Sequence, residues 1–561
     1  MGGRNRIHRK GYENNIQSKK GINQIFFEIP SPTWNMGKTI LFLMRKNIKF
    51  LTAMLGGIAL AACSQGPVPA VDNSAAPKDS TAGTLPAPGT DSAATAAATA
   101  SSVPASYKDI QFPEYQYVAP YPKDYRVEIA EGITGYIVSD RSLPLVNFSV
   151  YFENPRVPAA LKDEAVFEML GSMFRRGGGG GMTPSALDDS LEFISAGFSS
   201  SAGIWTASFG IDCLSKDFVP MMELAKKVLL APAFDKEQLE IVKANYATAY
   251  EQRYDTPAKV LSALRAKVNY APNPRVWDAT GEEYKKVSDA DLKRLAQGAF
   301  NSSRIIFALS GDVDRDSSVQ MLKEFFAEWK KDTASISLKA SAGSYAAPAP
   351  LSYVRKPGVY VVDKDISQAN ISINQPFVRR PHADYYPTAV ASFILGGGSF
   401  TSRLMNRVRS DEGLAYSVYS TVGNDYRDTA MTTIALQTKV ESVDFALKLV
   451  FEEVEKLAKE GPTEEELAQA KKALVESLPS LFDSPSATAS IFAKDELLGK
   501  SQDHYLDYVK EINAVTAEQV KAMIAKYFSR DKMTISIVGP VAKFESLKPF
   551  TQVPQDSLEF R

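Results

Sequence analysis

The chain has 561 residues, 44% hydrophobic and 23% charged, enough to bury more than one core. Its 64 basic and 65 acidic residues are interspersed and leave a formal net charge of −1, so no basic face points to nucleic acid. Two cysteines 150 residues apart exclude a disulfide framework, and none of the three histidines, His8, His382 and His504, has another ligand type at metal-binding spacing.

Residues 44–63, MRKNIKFLTAMLGGIALAAC, set Arg45, Lys46 and Lys49 before an apolar stretch from Phe50 to Leu60, the pattern of a bacterial secretory signal. The stretch is shorter than the roughly 20 residues a spanning helix needs. Its ending, Leu60-Ala61-Ala62-Cys63, resembles a lipobox, so Cys63 is the expected lipidation site and Met44 the expected start. Residues 1–43 then read as an upstream over-extension of the reading frame. Ser64, in place of Asp, implies sorting to the outer membrane of a Gram-negative cell, with the protein lipid-anchored in the periplasm. Residues 64–118 are expected to be a disordered tether, since Gln65 to Ser106 contains no aromatic residue and no Ile and has little apolar surface to bury.

An N-terminal domain is expected over 119–331. GITGYIVSD and LVNFSVYFEN alternate with period two around a Ser-Leu-Pro turn, which predicts a hairpin. A helix follows from about Pro158 to Phe174, then strands within SAGFSSSAGIWTASFGIDCL, helices over FVPMMELAKKVLLA and FDKEQLEIVKANYATAYEQR, and a closing strand in RIIFALSGDV. Cys213 reads as a buried free thiol on a strand. The five glycines Gly177 to Gly181 match no phosphate-loop pattern and read as a helix exit. Residues 332–351, rich in Ala, Ser and Pro, read as a linker, and a C-terminal domain is expected over 352–551.

The second domain repeats the first. At an offset of 228 residues, Phe234 falls on Pro462, Val287 on Val515 and Gly311 on Gly539, without a gap over about 80 residues. The expected fold class is α+β: two homologous domains, each an antiparallel-rich mixed sheet with helices packed on one face.

This organisation, with SLPLVNFSVYF, the segment LGGGSFTSRLMNRVRSDEGLAY from Leu395 to Tyr416 and the two closing strands, resembles the insulinase or pitrilysin superfamily. The likeness spans about residues 120–550 and is to the subgroup of the mitochondrial processing peptidase and bacterial two-subunit peptidases. Active members carry H-x-x-E-H on the first helix after the opening strands, where both imidazoles bind zinc and the Glu activates water. Here that helix reads AVFEMLGSMFRRG, and the register set by the following phenylalanine, arginine and glycine puts Glu168, Gly171 and Ser172 at the motif positions. The third ligand would fall near Ala249 to Glu251, and residues 108–380 contain no histidine. The resemblance therefore implies a degenerate site, no metal and no cofactor held by this chain, and no general base. Taken alone, Val166, Met169, Leu170 and Met173 make the helix a core-packing element.

The same resemblance implies that Arg409 and Tyr416, seven residues apart in RSDEGLAY, bind substrate by stabilising the carbonyl oxyanion at a zinc site. It also implies that Gly396, Gly397 and Gly398 match a substrate-contacting glycine loop. The function expected is a noncatalytic, substrate-gripping subunit of a heterodimeric periplasmic zinc metallopeptidase, inactive alone. Its homologous partner would carry H-x-x-E-H and the zinc, and peptides would be the substrates. The alternative is a peptide-binding or scaffolding lipoprotein with no catalytic assembly. A serine hydrolase is excluded: G-x-S-x-G is absent, and His382 and His504 lie in polar stretches that read as exposed.

Overall fold

The computed structural model describes residues 117–296, 298–337, 348–353 and 356–560. Cys63, the signal segment and nearly all of the expected tether lie outside them. The strands are β1 (Arg126–Ala130), β2 (Ile133–Ser139), β3 (Leu145–Glu153), β4 (Gly197–Ala202), β5 (Thr206–Leu214) and β6 (Ile305–Gly311), then β7 (Gly358–Asp363), β8 (Gln368–Pro376), β9 (Ala415–Val422), β10 (Met431–Lys439), β11 (Thr534–Gly539) and β12 (Phe550–Gln552). They form two six-stranded mixed sheets, ordered β1-β2-β6-β3-β5-β4 and β12-β7-β11-β8-β10-β9.

Alternation explains β3 and β5. On β3, Val146, Phe148, Val150 and Phe152 are buried while the residues between them are not, and on β5 Ala207, Phe209, Ile211 and Cys213 do the same. Phe148 stands opposite Ile211 in the register, and Phe152 stacks on Trp329 at 5.2 Å. The expected hairpin between β2 and β3 does not form. β6 lies between them, parallel to β2 and antiparallel to β3. Period two specifies which side chains face the core, not which strand lies alongside. β6 reads IIFALSG, a continuous apolar run suited to the middle of a sheet buried on both faces.

Helices cover one face of each sheet from within the same half: Leu161–Arg176 and Phe218–Leu230 pack under the first, Val443–Glu460 and Ala517–Tyr527 under the second. The opposite face is covered by exchange. Pro257–Asn269, from the first half, lies across β7, β8 and β11 with Val260 and Leu264 against Val362 and Val538. Its counterpart at the 228-residue offset, Pro485–Leu497, lies across β2 and β6 of the first half with Ala489, Phe492 and Ala493 against Tyr136, Val138, Ile306 and Ala308. Thr256 and Ser484 cap them, each followed by Pro at the first helical position.

Polar contacts fix the exchange. Glu496 accepts hydrogen bonds from Arg126 (Nε 3.0 Å, Nη2 2.8 Å), Thr134 (2.9 Å) and the Tyr136 hydroxyl (2.6 Å). Thr534 donates to buried Asn269 at 3.0 Å. Arg275 pairs with Asp428 through both guanidinium nitrogens, at 2.8 and 2.5 Å, and lies over the Trp205 ring. The helix Arg315–Ser337 runs past 332, where the linker was expected to begin. Beyond β12 the chain returns to the first half, where Leu558, Glu559 and Phe560 are buried.

Candidate functional site

Leu161–Arg176 presents Ala165, Val166, Met169, Leu170 and Met173 to the core, all fully buried, as its helical spacing requires. The motif positions occupy its remaining edge. Gly171 touches β4: a Cβ there would stand 2.8 Å from the Ala202 amide nitrogen and 2.9 Å from the Ser201 Cα. The Ser200 hydroxyl also donates to the Gly171 carbonyl at 2.7 Å. Ser172 turns back to the Met169 carbonyl at 2.9 Å. Glu168 is accessible to water but crowded, and its carboxylate accepts from the Tyr284 hydroxyl while its carbonyl accepts from Tyr246 at 2.7 Å.

The expected third-ligand helix is Lys236–Glu251, and Tyr246, not Glu251, is its residue that reaches Glu168. Glu251 instead lines a polar cavity of about 470 Å³ with Arg253, Lys364 and Gln555. Two acids sharpen the electrostatics. Glu164, one turn before Glu168, is 9% exposed, and its Oε2 has no hydrogen-bond partner among the described residues. Burial, with repulsion from Glu168 and Asp278, pushes its pKa up to about 8. Burial likewise raises Glu168 and Asp278, and pushes Tyr246 up to about 12. Among the described residues no group of three or more His, Cys, Asp or Glu is placed to hold a metal ion. The residues present do not fit the zinc that active insulinase-type enzymes hold: an acid bonded to a phenol, a glycine against a strand and a serine bonded to its own helix replace the ligands.

Glu164 was missed from the sequence, although its four-residue spacing from Glu168 puts the two on one helix face. Tyr246 and Tyr284 carried no local signal, because only packing brings their rings to 5.2 Å.

Arg409 and Tyr416, the pair given by the resemblance, lie side by side. Arg409 lies near the end of Met405–Asp411, a wide helical turn, and Tyr416 is the second residue of β9, the edge strand of the second sheet. The guanidinium lies 5.0 Å from the Tyr416 ring centre and 4.9 Å from that of Phe400. Tyr416 is 82% exposed and Phe400 63%. Among the described residues no hydrogen bond, ion pair or ring contact joins this pair to Glu168.

The three glycines differ from one another. Gly396 is buried, and a Cβ on it would stand 2.5 Å from the Ser420 amide nitrogen, so it lets the helix end approach β9. Ser392 and Ser420 hydrogen-bond at 2.7 Å beside it. Gly397 is exposed and Gly398 half-buried.

The remaining candidates are bland. Cys213 is buried, with burial pushing its thiol up to about 11. His382 is exposed. His504, expected to be exposed, is half-buried, and burial, with Lys500 and Arg380 nearby, lowers it to about 3.

Comparison with known proteins agrees with the geometry. The family model described as "Peptidase M16 inactive domain" matches residues 286–474, which include Arg409 and Tyr416. The chain is thus similar to the insulinase-type peptidases, and its own motif helix lacks zinc ligands. "Uncharacterized zinc protease YmxG" of Bacillus subtilis (strain 168) is 25% identical over 319 residues, 56% of this chain and 73% of the relative. "Non-peptidase homolog YmxG" of Helicobacter pylori is 26% identical over 319 residues, 56% of this chain and 70% of the relative. The crystal structure of a peptidase M16 inactive domain from Pseudomonas fluorescens superposes with a TM-score of 0.59 at 25% identity, over 74% of this chain and 98% of that one.

Proposed function

We propose that this chain is the noncatalytic subunit of a heterodimeric zinc metallopeptidase, gripping peptides for a homologous partner that carries H-x-x-E-H and the zinc. One observation carries the reading: the motif helix has no ligands to offer, while Tyr416 stands exposed on the edge strand of the other sheet with the half-buried Arg409 guanidinium against its ring. A fixed guanidinium and a phenol are the groups needed to stabilise an oxyanion generated at a metal held elsewhere. Gly397 and Gly398 would form the rim that peptide passes, with Gly396 setting their height. The relative from Helicobacter pylori, named a non-peptidase homologue, supports a noncatalytic role. The expected lipid anchor at Cys63 places the assembly in the periplasm at the outer membrane. Among the described residues no helix is long and apolar enough to cross a membrane.

The test mixes the purified chain with the homologous chain of the same genome that carries the intact motif, and follows cleavage of a fluorogenic peptide. Only the mixture should be active, and Arg409→Ala and Tyr416→Phe should each lower its turnover about tenfold or more without loss of folding. Chelator-sensitive hydrolysis by the isolated chain, or unchanged rates in both variants, overturns the proposal.

A further inference from the structure

Segment 558–560 is held unlike the rest of the chain's end. The Glu559 carboxylate, in a residue 7% exposed, accepts from the Tyr250 hydroxyl at 2.6 Å and from Arg253 (Nε 2.8 Å, Nη2 2.5 Å). The Glu559 carbonyl accepts from Lys267 Nζ at 2.8 Å, and that ammonium lies 5.0 Å from the centre of the Phe560 ring. The Phe560 amide donates to the Asp278 carboxylate at 2.9 Å, and its carbonyl accepts from the Asp278 amide at 3.0 Å. Leu558 is 1% exposed in the cluster with Val260 and Leu264. Just before it, Gln555 and Asp556 border the polar cavity of about 470 Å³ rather than a packed core.

Glu559 and Phe560 are thus read by side chain and backbone together, as a bound peptide is read, by polar groups that all come from the first half, while Leu558 packs in a cluster lined by both halves. Four hydrogen-bonding residues, Tyr250, Arg253, Lys267 and Asp278, converge on one acidic residue and one backbone unit. Burial requires partners for the carboxylate, and here the same cluster also reads the backbone on both sides of the Glu559–Phe560 peptide bond. Tyr250 lies one helical turn from Tyr246, so this socket adjoins the emptied motif position Glu168.

We propose that the socket is a peptide-binding site for an acidic residue flanked by large apolar ones, and that Leu558-Glu559-Phe560 fills it as an intramolecular ligand. A peptide of the same pattern competes for the socket when the segment leaves. The inference does not depend on a catalytic partner.

The test keeps the whole chain. A protease recognition sequence is inserted between Pro554 and Gln555, the protein is folded and then cut, and fluorescein-labelled Gln-Asp-Ser-Leu-Glu-Phe-Arg is titrated in by anisotropy. The cut protein should bind the probe saturably, the uncut protein at least tenfold more weakly. A probe carrying Glu559→Gln should bind the cut protein at least tenfold more weakly than the parent probe. No exchange after cutting, loss of the cooperative thermal transition on cutting, or equal binding of the two probes overturns the proposal, because each makes the segment part of the core.

Discussion

A side chain at Gly171 would be driven into the backbone of β4, with Ala202 and Ser201 already within 3 Å of where its first carbon would lie. Restoring the motif letters is therefore not restoring the site. In the variant Glu168→His/Gly171→Glu/Ser172→His the new Glu has no room, and overpacking of this kind costs about 1–3 kcal/mol. We expect a lower melting temperature and no stoichiometric zinc by elemental analysis of the dialysed protein. One equivalent of tightly held zinc would refute the steric account.

Glu164 poses a different residue-scale problem, since a buried carboxyl with an unpartnered oxygen favours its proton. Its folded pKa of about 8 stands above the ordinary 4.5, so between those values the native chain holds a proton that the unfolded chain has lost. Its contribution to stability is fully present below about pH 4.5 and falls as pH rises toward 8, by ~1.4 kcal/mol per pH unit at most. Glu164→Gln stays neutral throughout. Urea titrations should show variant and parent alike near pH 4.5 and the variant more stable at pH 8. Parallel curves across that range would remove the assigned titration.

At the scale of elements, Pro485–Leu497 is docked through Glu496, and there the sign reverses. Burial opposes the charge, but bonds from Arg126, Tyr136 and Thr134 outweigh it and hold the carboxyl below its ordinary range. The stabilisation is present above the ordinary carboxylate pKa and is lost as pH falls through the depressed one. Glu496→Gln should lose about 1–3 kcal/mol at neutral pH, with the gap to the parent closing in acid. A constant gap down to pH 3 would show that the charge is not what matters.

The crossing helices also mark how far the sequence could be read. Their starts are written locally, in Thr256-Pro257 and Ser484-Pro485, and the 228-residue repeat makes them equivalent. Their destinations are not written, because an apolar stripe states that a face is buried and not against which sheet. The same limit misplaced β2 and β3 as a hairpin. The absence of histidine from residues 108–380 was legible because it depends on residue identity alone. The phenols that bond Glu168, and the segment seated on Tyr250 and Arg253, depend on contacts between distant stretches and left no mark.

For the whole molecule, each half completes the other. β6 and β11 are buried on both faces, and in each sheet one face is sealed by a helix the opposite half supplies. The seam adds the buried pair Arg275 and Asp428, with side chains 8% and 9% exposed. Breaking one partner of such a pair costs about 3–5 kcal/mol. Prising the halves apart would expose both sheet faces to water at once, at a rate of roughly 25 cal/mol for each Å² of apolar surface. A wide gape along that seam would have to give up the crossed helices and the Arg275–Asp428 pair together.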